Sequence, residues 1–518
     1  MVVDDQRDVV AFLATPAAYG VRAAPVDAVE RIDTHISIVW LAGDRAYKLK
    51  RAVRFDYVDF STVERRRTAC EAEVRLNRRT APSLYLGTRP VTREADGSLA
   101  IDGRGTPVDW LVEMARFDEA TLFDRLADGR RLDLELMEGL AEAIAGLHAV
   151  AEPQTDHGGR DGMAWVIDGN ALGFAEHGTG VLDPSACARL TASTRAALGR
   201  HQDLLETRRR GGMVRRCHGD LHLRNICLVG GQPTLFDAIE FNDEIACVDV
   251  LYDLAFLLMD LWRRDLHAHA NVVFNEYLTR TLDLTGLPVL PLFLACRGAV
   301  RAKTSATAAA VQPDETRRRE QQAAARRYLA LAQTFLSPRS PASPRLVAIG
   351  GLSGSGKSTV ARRLAPELGA PPGALVLRSD VIRKMLRGVP PLTRLAEEAY
   401  APEVSRCVYR TIADRALVAL NAGHSVIADA VYALPGERDA IAAAARAAGA
   451  RFDGIWIDAP PAILERRIAA RQADASDADP GVLQRQLQTN VGRMDWTRVD
   501  GSGAVDGVLA TSRTSLGG

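Results

Sequence analysis

Hydrophobic and polar residues alternate along the first part of the chain in the pattern of β-strands. Over residues 31–50 the pattern has period two and is broken at Gly43-Asp44, which predicts two strands joined by a turn. Ser61–Glu64 is a capping-box pattern and predicts that a helix begins there and runs to about Arg79. Two further strands are predicted over residues 84–91 and 108–114.

The middle of the chain changes to helical spacing. Apolar residues recur three and four positions apart over residues 137–147, which predicts an amphipathic helix. A nearly continuous apolar run over residues 251–261 predicts a buried helix, and an arginine- and alanine-rich segment over residues 316–335 predicts another. The first part of the chain is therefore a mixture of early strands and later helices.

The last third of the chain has a different pattern, in which short apolar strands alternate with helical segments. Such alternation predicts βαβ units and a parallel sheet. The predicted strands are residues 346–349, 374–377, 425–428 and 452–457. Between the two patterns, Ser337–Pro344 has three prolines among small residues, which is typical of an extended linker. We therefore predict a first domain over residues 1–336, a linker over 337–345 and an α/β domain over 346–518.

Composition excludes several classes of protein. The chain has 518 residues, with 65 Lys+Arg and 65 Asp+Glu, and this balance predicts neither a nucleic-acid nor a membrane partner. Seven scattered cysteines without a C-x-x-C pair, together with no apolar run near the start, predict a cytoplasmic protein. Lysine is rare among the basic residues. The five lysines are Lys48, Lys50, Lys303, Lys357 and Lys384.

A complete P-loop begins the α/β domain at Gly351-Leu-Ser-Gly-Ser-Gly-Lys-Ser358. Its glycines allow the backbone to wrap a phosphate, its lysine would reach the β- and γ-phosphates, and Ser358 would ligate Mg2+. An apolar strand precedes the motif and a helix follows, as a P-loop requires. The predicted ATP-binding residues of this loop are Gly351, Ser353, Gly354, Ser355, Gly356, Lys357, Ser358 and Thr359.

Further candidates lie near the ends of the strands in the α/β domain. Asp380 and Asp429 follow apolar strands at the carboxyl edge, where open α/β sheets bind ligands, and Asp429 is a candidate for the Mg2+ shell. The alternative is that each is a helix cap or a surface carboxylate. Arg467 and Arg471 share one helix face beside a polar loop and are predicted to bind ATP phosphates as part of a lid. The alternative is a solvated helix face.

The second motif is His218-Gly-Asp-Leu-His-Leu-Arg-Asn225, followed by a hairpin with a Gly-Gly turn. A phosphoryl-transfer loop of this kind needs a carboxylate that accepts the proton of the acceptor hydroxyl, for which Asp220 is the candidate. It also needs an amide and a second carboxylate for Mg2+, and Asn225 and Asp237 follow in that order. Glu240 is an alternative to Asp237 for the metal position.

Residues 25–335 resemble the aminoglycoside phosphotransferase family, which includes choline- and homoserine-type kinases and shares the protein-kinase fold. The resemblance implies an α+β protein-kinase-like domain with an N-lobe over about residues 25–115 and a C-lobe over about 116–336. It extends to the Leu251–Ala255 segment, in which it implies a structural role for Asp253.

The same resemblance implies an ATP-binding lysine on an N-lobe strand, paired with a helix glutamate. Lys48 and Lys50 both suit the strand position, and Glu71 and Glu73 both suit the helix position; we prefer Lys48 with Glu73. The sequence departs from the family because it has no clear glycine-rich phosphate loop before Lys48.

Residues 345–510 resemble small P-loop kinases such as gluconate kinase, zeta-toxin-like and chloramphenicol-phosphotransferase-like proteins. The resemblance depends on the P-loop, the Ser379–Arg383 segment, the strand that ends at Asp429 and the arginine-rich lid. It implies that Asp380 acts on the substrate hydroxyl and that Arg383 helps to hold the substrate. The whole chain is similar to bacterial fusion proteins described as aminoglycoside phosphotransferase-like plus P-loop kinase.

These observations predict an ATP- and Mg2+-dependent phosphotransferase with two kinase sites. The expected acceptor is a hydroxyl group of a small molecule such as a sugar, amino sugar or aminoglycoside-like compound. An alternative is a P-loop ATPase or kinase with a regulatory kinase-like domain that binds a nucleotide or ligand, and a toxin-like ATPase is a third possibility. The patterns carry no prediction of the oligomeric state.

Overall fold

The computed structural model describes residues 5–20, 28–337, 344–470 and 475–517. By its internal contacts the chain divides into two compact units, one formed by residues 1–176 with 195–260 and the other by 177–194 with 261–518. Most of the linker predicted over residues 337–345 lies outside the described residues. The domain boundaries drawn from the sequence stay a prediction.

The first unit begins with the elements α1 (Arg7–Leu13), β1 (Val29–Asp33), β2 (Ser37–Ala42), β3 (Arg45–Lys50), β4 (Arg54–Phe55), β5 (Val58–Asp59), α2 (Val63–Asn77), β6 (Tyr85–Arg93), β7 (Leu99–Ile101) and β8 (Thr106–Ala115). Six of these strands form an antiparallel sheet in the order β1-β2-β3-β8-β6-β7. The turn predicted at Gly43-Asp44 joins β2 to β3, with Gly43 at φ +60°. Helix α2 begins one residue later than the capping pattern indicates, because Thr62 rather than Ser61 accepts the N–H of Arg65.

Helices follow this sheet, with short strands among them. These elements are α3 (Phe123–Asp128), α4 (Leu134–Val150), α5 (Gly159–His177), α6 (Pro184–Arg210), β9 (Val214–Arg216), β10 (Ile226–Val229), β11 (Gln232–Leu235), α7 (Asp243–Ala246), β12 (Cys247–Asp249) and α8 (Val250–Arg263). The predicted hairpin is β10–β11, and both glycines of its turn have positive φ. The sheet followed by helices is the α+β, protein-kinase-like arrangement predicted for the first domain.

The second unit contains three further helices and an α/β sheet. The helices are α9 (His267–Thr281), α10 (Leu290–Val311) and α11 (Glu315–Leu336). The remaining elements are β13 (Arg345–Gly350), α12 (Lys357–Leu364), β14 (Leu375–Arg378), α13 (Ser379–Leu386), α14 (Pro402–Asn421), β15 (Val426–Asp429), α15 (Pro435–Ala447), β16 (Arg451–Asp458), α16 (Pro461–Ala469), α17 (Pro480–Leu487), β17 (Thr497–Asp500) and α18 (Val505–Ser515).

The five strands of this sheet are parallel and lie in the order β14-β15-β13-β16-β17. Its core is formed by branched apolar residues, among them Val347, Ile349 and Ile427, which are fully buried. The parallel α/β sheet is as predicted, and β17 is an addition. That strand lies at the edge of the sheet and buries only Val499, so it lacks the apolar run by which the other strands are recognised.

Within the described ranges, no helix combines the length and apolar character that crossing a membrane requires.

Candidate functional site

Two lysines from β3 and one glutamate from α2 meet in the first unit. Lys48 and Lys50 lie two residues apart on β3, so their side chains leave the same face of the strand. The Nζ of Lys48 lies 2.8 Å from Oε1 of Glu73, and the Nζ of Lys50 lies 2.6 Å from Oε2 of the same carboxylate. Glu71 lies elsewhere, because its side chain is half exposed and pairs with Arg67. Glu73 therefore bridges both candidate lysines.

Two more carboxylates complete this lysine–carboxylate cluster, which we define as Lys48, Lys50, Glu73, Asp237 and Glu240. Lys48 Nζ lies 2.6 Å from Oδ1 of Asp237, and Lys50 also donates to the carboxylate of Glu240. Three carboxylates and two ammonium groups leave one formal negative charge. A surplus of carboxylate oxygen suits a hard divalent cation, so these residues fit the predicted magnesium.

Burial separates the two candidates for the metal position. The side chain of Glu240 is 4% exposed and next to Lys50, whereas that of Asp237 is 43% exposed. Burial raises the pKa of the Glu240 carboxyl, although the ammonium group of Lys50 acts in the opposite direction. For Glu73, the opposing effect of burial is outweighed by Lys48 and Lys50, which hold the pKa of its carboxyl below the usual range. Asp237 is thus the more accessible carboxylate for a metal ion.

The backbone around Asp237 is held by α2 and β6. Asp237 has a left-handed φ of +62°, and its N–H donates to the hydroxyl of Tyr85 at 3.1 Å. The next N–H, of Ala238, donates to Oδ1 of Asn77 at 2.8 Å, and Asn77 in turn donates to the carbonyl of Glu73. Non-glycine residues with positive φ are uncommon and are stabilised by their surroundings. These bonds direct Asp237 toward Lys48.

The predicted catalytic loop brings Asp220 and Asn225 together. Asn225 Nδ2 donates to Oδ2 of Asp220 at 3.0 Å and to its backbone carbonyl at 2.9 Å. His222 Nε2 lies 3.3 Å from the same Oδ2, and the Asp220 side chain remains 35% exposed. Asp220 is therefore oriented by two neighbours and still accessible to a molecule outside the loop, as a proton acceptor must be.

The carboxylate of Asp253, on α8, stabilises the backbone of this loop. This carboxylate is fully buried and accepts the N–H groups of His218 at 3.1 Å and Gly219 at 2.8 Å. His148 Nε2 lies 3.1 Å from the same carboxylate. Gly219 has φ +83°, and a Cβ there would lie 3.1 Å from the carbonyl oxygen of Ile245. Asp253 thus acts on the backbone of the loop, in line with the structural role that the resemblance implied.

Replacing Lys50 with methionine is expected to destabilise the first unit by about 3–5 kcal/mol, because it leaves Glu240 and Glu73 buried without their shared cation. The measurement is urea-induced unfolding, and we expect the midpoint concentration of urea to be lower in the variant. A second replacement, Glu240→Leu, in the same chain should recover much of the loss since it removes the orphaned charge.

The matched control for Lys50→Met is Arg67→Met, which breaks the exposed pair of Arg67 with Glu71 and the contact of its guanidinium with the Trp110 ring, and should cost about 1 kcal/mol or less. If the double variant loses as much stability as the two single losses added together, Lys50 and Glu240 are not energetically coupled.

The second site begins at the P-loop, between β13 and α12. Gly351, Gly354 and Gly356 have φ values of +148°, +85° and +92°. A Cβ on Gly351 would lie 2.5 Å from the carbonyl of Ile457, and one on Gly354 would lie 2.7 Å from that of Leu464. Glycine is therefore required at both positions by backbone conformation and by close approach.

Unsatisfied polar atoms mark the carboxyl edge beside this loop. Ser355 Oγ and Asp429 Oδ1 are buried and have no hydrogen-bond partner among the described residues. Asp429 ends β15 next to Ile349 of β13, and its Oδ2 lies 3.5 Å from Nε of Arg378. Buried polar atoms are rarely left without partners, so such atoms point to a ligand. Their position, with the glycine backbone, fits a phosphate chain and its metal ion.

Asp380 lies in the first turn of α13, which directly follows β14. Burial raises the pKa of its carboxyl, while Lys357 and Arg378 act in the opposite direction. Asp380 is therefore a buried carboxyl group with a raised pKa, close enough to Lys357 of the P-loop for that charge to act on it.

The predicted arginines differ in their surroundings. Arg467 on α16 donates to the carbonyl of Ser355 at 3.5 Å and to that of Gly503 at 3.2 Å, so it lies beside the P-loop. Arg383 is buried; it donates to the carbonyl of Ala399 at 2.7 Å and its guanidinium lies 4.6 Å from the centre of the Tyr400 ring. Arg471 lies outside the described residues. The remaining predicted P-loop residues, Ser353, Lys357, Ser358 and Thr359, lie on the loop and the start of α12.

Several residues that shape the second site escaped the sequence analysis. Asp477 accepts from Lys384 Nζ at 3.0 Å and from the Tyr400 hydroxyl at 2.7 Å, which ties the segment after α16 to α13. Gln486 Oε1 accepts the N–H of Ser353 at 2.9 Å. For Lys384 a signal existed, namely the scarcity of lysine. Gln486 has no such signal, because it acts across more than a hundred residues of sequence.

Comparison with protein families divides the chain in the same way as the two motifs. Residues 43–288 match the model of the phosphotransferase enzyme family, and residues 346–490 match that of an AAA domain. The uncharacterized protein Rv2004c of Mycobacterium tuberculosis (strain ATCC 25618 / H37Rv) is 31% identical over 460 residues, which cover 86% of this chain and 87% of that protein. The uncharacterized protein Mb2027c of Mycobacterium bovis matches with the same figures.

Two solved structures are each similar to part of the chain. A choline/ethanolamine kinase family protein from Mesorhizobium loti covers 63% of this chain and 99% of its own, with 14% identity and a TM-score of 0.38. A sugar kinase from Janibacter sp. HTCC2649 covers 34% of this chain and 95% of its own, with 24% identity and a TM-score of 0.25.

Proposed function

Because the chain belongs to the family of the mycobacterial protein Rv2004c, and its two matched domains make it an ATP-dependent phosphotransferase by class, we propose that it has two kinase sites. Each would transfer a phosphoryl group to a hydroxyl group of a small molecule such as a sugar or amino sugar. The observation that carries the proposal is the meeting of Lys48, Glu73 and Asp237, which come from three distant stretches of the chain. Such convergence is what a phosphoryl-transfer site requires.

At the first site the roles follow from position. Mg-ATP, when bound, would supply the phosphoryl group and the charge-neutralising cation. Asp220, held by Asn225 and His222, would orient the acceptor hydroxyl and accept its proton. Asn225 and Asp237 would hold the metal ion, and Lys48 would turn from Asp237 toward the phosphates while keeping its contact with Glu73.

The second site supports the same chemistry with different parts. The P-loop amides and Lys357 would bind the phosphates, while Ser358 and Asp429 would hold the metal ion or its water ligands. Asp380 would accept the proton of the acceptor hydroxyl, and its raised pKa matches that task. Arg467 lies close enough to the loop to bind phosphate oxygens, and Arg383 would contact the acceptor.

The test of this function is a survey of acceptors with Mg-ATP, in which both ADP release and the phosphorylated product are measured. Sugars, amino sugars, aminoglycosides and amino alcohols are the compounds to compare. We expect at least one acceptor to raise ADP release above the rate with water and to gain one phosphate by mass spectrometry. ADP release that no acceptor stimulates, with no phosphorylated product, would contradict the kinase proposal.

A second candidate function has its own supporting observation. The connection between β2 and β3 is the tight turn at Gly43-Asp44, which offers no extended glycine-rich loop for phosphates. A first unit that binds a nucleotide or ligand without turnover, and regulates the P-loop site, fits that feature. Titration of Lys357→Ala with a fluorescent ATP analogue, together with turnover in the same variant, distinguishes the two functions. A regulatory first unit would still bind the nucleotide while all turnover is lost, whereas a kinase in the first unit would keep its own turnover.

A further inference from the structure

Strand β14 lies at the edge of the parallel sheet, and its outer side is covered by helix α9. On the inner side, the N–H of Leu375 donates to the backbone carbonyl of Ser425 at 2.9 Å, next to the first residue of β15. On the outer side, the carbonyl of Ala374 and the N–H of Val376 point away from the sheet. Edge strands expose such groups, and proteins cover them with other elements.

Two asparagines of α9 pair with these outer groups. Asn275 Oδ1 accepts the N–H of Val376 at 2.6 Å, and its Nδ2 donates to the carbonyl of Ala374 at 3.2 Å. A single carboxamide therefore pairs with the strand as a neighbouring strand would, with one acceptor and one donor. Asn271 Nδ2 adds bonds to the carbonyls of Ala374 at 3.1 Å and Pro372 at 3.0 Å.

The side-chain carboxamides of Asn271 and Asn275 are held in place by contacts with each other. Asn275 Nδ2 lies 3.0 Å from both the carbonyl and Oδ1 of Asn271, and Asn271 is 3% exposed. Gly373 permits the close approach, because a Cβ there would lie 2.8 Å from Asn271 Nδ2. Next to the pair, the ring of Phe274 stacks on that of His424, with 6.0 Å between the ring centres. This arrangement is a packed interface with matched polar groups.

Strand β14 leads directly to the P-loop site. The strand ends at Arg378, which pairs with Asp429. Helix α13 begins at the next residue and carries Asp380 and Arg383. A shift of the edge strand along or away from β15 would move all of these groups together. Displacements of about 1 Å at a catalytic group are enough to lower a rate about a hundredfold.

We propose that Asn271 and Asn275 are positioning residues of the P-loop site, which hold Asp380 in place through the backbone of β14. Helix α9 lies within the segment that matches the phosphotransferase family model, residues 43–288. By this proposal, a helix that the sequence assigns to the first domain completes the sheet of the second. The kinetic consequence rests on the proposed function of the P-loop site, whereas the structural consequence does not.

The test compares full-length Asn275→Ala, Asn275→Asp and Glu276→Ala by hydrogen exchange. We expect exchange over residues 374–386 to rise about tenfold in Asn275→Ala, in β14 and onward into α13, because a buried hydrogen bond is lost. Asn275→Asp keeps an oxygen for the N–H of Val376 and should restore part of the protection. Glu276→Ala is the control, since Glu276 pairs with Arg280 on the same helix.

The second readout is the turnover that depends on Lys357. In Asn275→Ala we expect kcat to fall about tenfold with the KM for ATP within about twofold, because the lost hydrogen bonds belong to β14 and not to the P-loop backbone. Turnover that depends on Asp220 should not change. Faster exchange confined to β14, or unchanged exchange relative to Glu276→Ala, would overturn the proposal. An absence of Lys357-dependent turnover in the natural protein would contradict the proposed function, while the exchange result would still decide the positioning role.

If Asn275→Ala fails to fold, Asn271→Ala takes its place. This variant keeps the hydrogen bonds of Asn275 with Val376 and Ala374. We expect this variant to raise exchange over the same residues by a smaller factor than Asn275→Ala. Equal exchange in Asn271→Ala and the natural protein would remove Asn271 from the proposal.

Discussion

An Asp220→Asn variant is expected to lose phosphoryl transfer at the first site by about 100- to 10,000-fold, which is the usual contribution of a positioned general base. Asparagine has the shape of aspartate and can still accept the hydrogen bond of Asn225, so the loop should keep its conformation. It cannot accept the proton of the acceptor hydroxyl. The measurement is acceptor-dependent ADP release at saturating Mg-ATP, with nucleotide binding followed separately and expected to remain.

The control for this variant is Asp243→Asn. Asp243 is half exposed and pairs with Arg216 at 2.7 Å, and surface pairs contribute about 0–1 kcal/mol. The change therefore removes the same charge from the same part of the chain without touching the loop. Full activity of Asp220→Asn with every acceptor would show that the first unit is not the kinase, and would support the regulatory alternative.

A Lys357→Ala variant is expected to reduce turnover at the P-loop site by about 100- to 1,000-fold, as the loss of one preorganised donor to a developing charge does in other enzymes. Lys357 is 9% exposed at the start of α12, so a water molecule would replace its charge poorly. The effect should appear both in acceptor-dependent turnover and in the affinity for the nucleotide.

Arg363→Ala serves as the control for Lys357→Ala. Arg363 lies on the same helix, is half exposed and pairs with Asp506 at 2.6 Å. Activity that depends on Asp220 should survive Lys357→Ala. If one acceptor loses turnover in both variants, the two sites do not act independently, and the proposal of two separate kinase sites is wrong.

The two variants together decide how the chain uses its two motifs. Distinct acceptors, each lost in one variant, would establish a double kinase. Turnover lost only in Lys357→Ala, together with nucleotide binding that remains in the first unit, would indicate a P-loop enzyme with a sensing domain. Under that outcome, the proposed role of the lysine–carboxylate cluster would be to hold a nucleotide as a signal, without transfer of a phosphoryl group.

The two phosphate-binding motifs could be recognised in the sequence because the residues of each motif are consecutive. The P-loop and the His218–Asn225 loop each place donors, glycines and carboxylates within a few residues, and short spacing largely determines their geometry. The strand–turn–strand at β2–β3 and the hairpin at β10–β11 were readable for the same reason. In each case local backbone preference and the tertiary fold agree.

The sequence did not allow a choice between neighbouring candidate residues for the same role. The two-residue period of a strand places Lys48 and Lys50 on the same face of β3, and in the structure both lysines pair with the carboxylate of Glu73. The pairs Glu71 with Glu73 and Asp237 with Glu240 differ in burial, which depends on packing between distant segments. A sequence pattern states which residue types are present and how they are spaced, and burial is a property of the folded chain.

By itself, the sequence determined the two phosphate-binding motifs, the α+β and α/β patterns that carry them and the class of reaction. The tertiary structure decided that Lys50 and Glu240 join the first cluster, that Asp253 accepts the N–H groups of His218 and Gly219, and that Asn275 completes the edge of β14. The physical reason is the range of the interactions. Propensity, turns and glycine conformations act over a few residues, whereas a buried charge or a sheet edge is satisfied by whichever distant group the folded chain brings to it.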